Sequence, residues 1–124
     1  MTEDELLYFE RMPQMLPVYT VFRDELKKKY PDISIKASKT QISFRNRHIF
    51  AMASLPWRKV KGWPAQYLLI SFGLPCRKES SHIAQAVEAY PNRWTHHVAI
   101  ETEKEIDDEL MQWVDEAFQF SMFK

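Results

Sequence analysis

Period-two alternation from Trp94 to Ile100, followed at once by helical periodicity to Ser121, most narrows what this chain can fold into. In an extended strand Trp94, His96, Val98 and Ile100 share one face, while Thr95, His97, Ala99 and Glu101 share the other. One histidine therefore leans with apolar residues toward a core and its neighbour faces away. Thr102 and Glu105 have the spacing of a capping box, which predicts a helix starting at Glu103. Ile106, Leu110, Trp113, Val114 and Ala117 then recur on one apolar face. The acids Glu103, Glu105, Asp107, Asp108 and Glu109 suit the positive end of the helix dipole.

The rest of the chain supplies more strands and a second helical end. Thr2 and Glu5 form another capping-box pair, predicting a short first helix with Leu6, Leu7 and Phe9 that ends before Pro13. Residues 1–14 thus read as a short helical arm on a single domain spanning 1–124. Pro17 suits the first turn of a helix carrying Val18, Phe22 and Leu26, and Pro31 ends that helix at Tyr30. Alternation returns at Ile33, Ile35 and Ala37, again at Ile42 and Phe44, and then in His48–Leu55 and Tyr67–Phe72. Short connections between successive strands predict antiparallel pairing. His82–Ala89 satisfies neither a helical nor a strand period and stays open.

Net charge is zero but unevenly spread. Residues 1–32 carry a net of −2, residues 33–100 carry 10 basic and 2 acidic side chains for +8, and residues 101–124 carry −6. A basic sheet region beside acidic helices draws anions to the sheet, unless the two regions neutralise each other within the fold or between copies. The lone Cys76 has no disulfide partner in the chain and suits a reducing compartment. The acidic start lacks the basic, then apolar pattern of a signal peptide, and no apolar run approaches a membrane span. These features predict a cytoplasmic location and no membrane partner.

Several chemistries drop out. Only two glycines, Gly62 and Gly73, are present, too few for any glycine-rich phosphate cradle. His48, His82, His96 and His97 are scattered or adjacent, and adjacent strand residues diverge, so the histidines predict no metal site. No cofactor is expected. Cys76 lies beside Arg77 and Lys78 with His82 nearby in sequence, which suits either an activated thiol or an inert free one.

Two candidate sites remain. Pro56-Trp57-Arg58-Lys59-Val60-Lys61-Gly62-Trp63-Pro64 is a loop in which two indoles alternate with cations, the combination that stacks bases beside phosphates. The bland alternative is a lid whose indoles pack on the sheet while its cations stay in water. The second candidate groups Lys39, Arg93 and His97 around an anion, or makes one histidine a general base.

Further phrases extend over nearly the whole chain. They are Tyr8-Phe9 with Pro13, Ser38-Lys39-Thr40-Gln41-Ile42-Ser43-Phe44 with Phe50-Ala51, and Arg93-Trp94-Thr95-His96-His97-Val98. Glu105-Ile106-Asp107 with Trp113, Glu116-Ala117 and Phe118 completes the set. Together they resemble a bacterial family of small domains of unknown function, DUF 5655. More loosely, the closing strand and helix are similar to the YdhG-like and MmcQ/YjbR-like (CyaY-like) small domains. The resemblance implies an α+β domain with an antiparallel sheet covered by terminal helices, and for the looser relatives DNA binding proposed from shape alone.

The fold expected is thus α+β: one mainly antiparallel sheet of about five strands, with N- and C-terminal helices on one face. The leading functional expectation is a non-enzymatic binding module for an anionic partner such as nucleic acid. Candidate ligand-binding residues are Lys39, Gln41, Arg45, Trp57, Arg58, Lys61, Trp63, Arg93, His96 and His97, with Lys36 adding charge. One rival is a protein-interaction or self-association module using a strand edge or the aromatic end Phe118–Phe123. The other is a small enzyme or ligand-binding protein centred on Lys39, Arg93, His96 and His97.

Overall fold

A computed structural model describes residues 1–123. Three α-helices, α1 (Glu3–Tyr8), α2 (Leu16–Lys29) and α3 (Asp108–Ser121), flank six strands. The strands are β1 (Ser34–Ala37), β2 (Ile42–Arg45), β3 (Ile49–Ser54), β4 (Leu68–Leu74), β5 (Gln85–Tyr90) and β6 (Arg93–Ile100). They form one antiparallel sheet in the order β1-β2-β3-β4-β6-β5. The class is α+β as expected, with one strand more than the approximate count.

That strand is β5, in the stretch that alternation alone leaves open. Its outer position explains the weak signal: every residue but Ala86 is exposed, so neither face needs a regular apolar period. The hairpin itself is written in Tyr90-Pro91-Asn92-Arg93. Proline presets the first central position of a turn, and Asn92 takes the positive φ, 62°, required at the second.

Cross-strand register sorts the side chains. Phe44 stands opposite Ala51, Ala51 opposite Phe72, and Phe72 opposite His96, all on the face covered by helices. The next row on that face is Ile42, Ala53, Ile70 and Val98. The β2–β3 register slips after Phe44 and leaves Phe50 without a partner. This bulge turns Phe50 into the core as well, where its ring meets Phe118 edge-on at 5.1 Å. Helix α2 brings Tyr19 and Phe22 onto Phe44, and α3 lays Trp113 along Phe72. Tyr30 stacks on Phe118 at 3.9 Å and donates its hydroxyl to Asp115, joining α2 to α3.

One helix start differs from expectation. Thr102 makes no side-chain cap; Glu103–Glu105 forms a single 3-10 turn, and α3 begins only at Asp108. Ile106 adopts ψ 74°, which breaks helical continuity, and the Glu105 carboxylate instead accepts the Glu101 N–H at 3.2 Å. Asp107 is the true cap, accepting the Leu110 N–H at 2.9 Å. At the other end the Thr2–Glu5 capping box forms as expected.

Of the apolar residues read into this segment, only Phe9 is buried. Leu6 and Leu7 stay exposed, while Glu5, Tyr8 and Phe9 turn inward. The Glu5 carboxylate, wholly buried, accepts the Tyr19 hydroxyl and the Arg23 Nε at 2.7 Å. No helix among the described residues is long and apolar enough to cross a membrane.

Candidate functional site

The sheet face away from the helices mixes serines with apolar side chains and one histidine. Ser43, Met52, Ser71 and His97 lie opposite one another in successive strands, and Ser54, Leu69 and Ala99 form the next row. At the end of the sheet near this second row, the β3–β4 loop, residues 55–67, folds back over the face. Beneath it lies a cavity of about 790 Å³.

Lys39, Gln41, Trp57, Arg58 and Trp63 all line this cavity, so the β1–β2 turn and the tryptophan loop meet. Gln41 also reaches Ser43 on the open face at 3.3 Å. Trp57 is 80% exposed, with the Arg58 guanidinium 5.2 Å from its ring centre. Trp63 is half-buried and packs at 5.5 Å against Tyr67, whose hydroxyl pKa is pushed up by burial. A tight turn sets that tryptophan: its N–H returns to the Val60 carbonyl at 3.1 Å, and Gly62 takes φ 85°. One indole thus packs against the wall, as the lid reading expects, and the other stands in solvent.

Three cations, Arg11, Lys39 and Arg58, line the cavity and no acid does. Ion pairs among the described residues use Arg23, Lys29, Lys78 and His82 as their cations. Among the described residues Lys36, Lys39, Arg45, Arg58 and Lys61 form no ion pair with an acid. Lys36 and Arg45 stand exposed on the open-face sides of β1 and β2, and Lys61 is exposed in the loop.

The cavity frame comes from residues that composition and periodicity do not single out. The Tyr8 hydroxyl donates to the Thr40 carbonyl at 2.9 Å and accepts the Leu55 N–H at 3.0 Å. Arg11 donates to the carbonyls of Leu55 and Pro56 at 3.0 and 2.8 Å. The terminal arm thus holds both walls. The available signal was Tyr8-Phe9, conspicuous only as part of the family resemblance.

Arg93, His96 and His97 do not join this site or one another. The Lys39 turn precedes Ile42, which lies in the row of Val98. Arg93 stands five residues farther along β6, about 16 Å at strand rise, and its guanidinium packs 4.8 Å from the Phe120 ring. His96 is wholly buried and stacks on Phe72 at 5.4 Å. Its Nε2 accepts the Lys78 N–H at 2.8 Å, so the neutral ring carries its proton on Nδ1, which has no partner. Burial holds its pKa below the ordinary value.

His97 faces the open side as expected, its Nδ1 2.7 Å from the Ser71 hydroxyl, and burial lowers its pKa too. Ser71 is itself only 4% exposed. A shared histidine–arginine–lysine anion site is therefore not built. His82 turns to Glu109 at 2.6 Å, while Cys76 is exposed. Among the described residues, no cluster of three metal-ligating side chains forms.

The chain belongs to the family described as Domain of unknown function (DUF5655), whose model matches residues 7–121. No curated protein and no solved structure was found to match it.

Proposed function

We propose that this member of the DUF5655 family is a non-enzymatic, cytoplasmic binding module for an anionic partner, with single-stranded nucleic acid as the ligand. The observation that carries the reading is the cavity lined by Lys39, Arg58 and Arg11 together with Trp57 and Trp63, with no acid in its own lining. Indoles offer flat faces to any base, and cations beside them neutralise the phosphates that link bases. A walled cavity suits a base that is free to leave its stack, which favours a single strand over a duplex. Beyond the cavity the Gln41 amide reaches Ser43 on the open face, where a strand's next nucleotide would lie.

The test is a tryptophan-fluorescence titration with single-stranded and duplex oligonucleotides at low and near-physiological salt. Saturable quenching by single strands that weakens steeply with salt supports the reading, because neutralised phosphates release counterions. Silence at both salts overturns it. Equal quenching by duplex would retain an anion-binding module and reject the single-strand preference.

A second reading, a protein-interaction or self-association module, is favoured by a separate feature on the opposite side of the sheet from β1.

A further inference from the structure

The two edges of the sheet are managed differently. Strand β1 is short, carries Lys36 and has α1 packed beside it. Short length, lysine and a covering helix are three devices that keep an edge from pairing with another chain. Strand β5 has none of these three; its one irregularity is a slip in its pairing with β6 between Glu88 and Tyr90, which leaves Gln85–Glu88 as a regular edge. Its main contacts are with β6 alone, and its outward backbone groups have no backbone partner among the described residues. It contains no lysine, arginine or proline, and its only charge is Glu88. Val87 and Tyr90 are 43% and 72% exposed on it.

We infer that the β5 edge is a self-association surface on which a second copy of this chain pairs antiparallel, continuing the sheet. The strand's own sequence argues for a second copy. Residues directly opposite across a symmetric antiparallel pair must point to the same face, so the two-fold axis passes beside a residue rather than between two. Centred on Val87, the pairing sets Val87 against Val87 of the other copy and Ala86 against Glu88, within the regular part of the strand that ends before Ala89. Exposed apolar side chains meet, and the two Glu88 carboxylates stay apart. Centred one residue later, it would place those carboxylates face to face, which is unfavourable.

A two-fold that pairs two edges antiparallel runs perpendicular to the sheet, so both open faces, which carry Val87 and Thr95, lie on one side.

The test is sedimentation equilibrium and light scattering on the full chain without nucleic acid, across a dilution series. Wild type is expected to pass from monomer to dimer as concentration rises. Val87→Lys puts two like charges across the axis and should raise the dimer dissociation constant by about tenfold or more. Ala89→Lys, at another exposed position, is a second variant, and circular dichroism checks that each is folded. Ser34→Lys on the β1 edge should leave the dimer intact. A monomer mass at every concentration overturns the inference, as does a dimer that both β5 variants leave unchanged. Neither outcome bears on nucleic-acid binding, which is read separately.

Discussion

Tyr8 receives the backbone N–H of Leu55 on the same hydroxyl that it donates to Thr40, bridging two segments on either side of the candidate cavity. Removing that oxygen leaves a buried N–H and a carbonyl without their partner. Tyr8→Phe should therefore cost about 1–3 kcal/mol of stability in denaturant unfolding. Hydrogen exchange of the Leu55 amide should speed up before that of amides in β4. An unchanged Leu55 amide would show that the bridge does not hold the loop.

Trp57 and Lys39 offer a cleaner separation of binding from folding. Trp57 is largely in solvent, so Trp57→Ala should leave the unfolding midpoint nearly unchanged while weakening single-strand binding by about 1–3 kcal/mol. Lys39→Gln should weaken binding across all sequences. It should also flatten the logarithmic salt dependence by about 0.7, one phosphate's worth for a single strand. Titrations at several salts read both. A steep salt slope that survives Lys39→Gln would assign the contact to other cations.

Glu5 is a buried carboxylate with its charge met by Arg23. Burial alone would raise its pKa, but hydrogen bonds from the Thr2 backbone, Tyr19 and Arg23 outweigh burial and hold it below 4.5. Glu5→Ala strands the Arg23 guanidinium, whose side chain is 17% exposed, and should cost about 3–5 kcal/mol. The unfolded chain takes up this proton more readily than the folded one. The contribution is thus full above about pH 4.5 and lost as pH falls through the folded pKa. Urea midpoints between neutral and acid pH should fall less steeply for Glu5→Gln than for wild type.

The histidines titrate in opposing senses. His96 and His97 are both held low by burial, so their contribution is complete above the unfolded value of about 6.5 and shrinks as pH drops toward their folded values. His82 is raised by its hydrogen bond and charge interaction with Glu109; its contribution is present below the unfolded value and lost as pH rises through its folded value. That pair is solvent-exposed and is outweighed by the buried rings. Urea midpoints should therefore fall between about pH 7.5 and pH 5.5, the window around an ordinary histidine pKa, and His96→Gln should reduce the drop. A midpoint that rises over the same interval would reverse the ranking.

The sequence makes half-buried elements legible because they alternate. β6 shows its facing directly, and His96 and His97 diverge as that period demands. Trp57, Trp63, Lys39, Arg58 and Gln41 were identifiable by chemistry, yet their meeting depends on register and on a loop folding back, which no local pattern encodes. Glu5 was hidden because a buried acid mimics a surface one until its partner is known; Tyr19 and Arg23 lie 14 and 18 residues away. Thr102 misled because a capping motif specifies only local bonds, and the chain preferred the competing cap at Asp107.

The bridge at Tyr8 also links occupancy of the cavity to attachment of the chain's beginning. A molecule that binds only where both walls stand in place favours the docked arm by mass action, whatever its own chemistry. The peptide bonds near Met12 would then become harder for a protease to cut as the cavity fills. A cut there would release Tyr8 and Arg11 and abolish capacity without touching a single ligand contact on the sheet. Under the proposed binding function, cleavage of the N-terminal arm would act as inhibition.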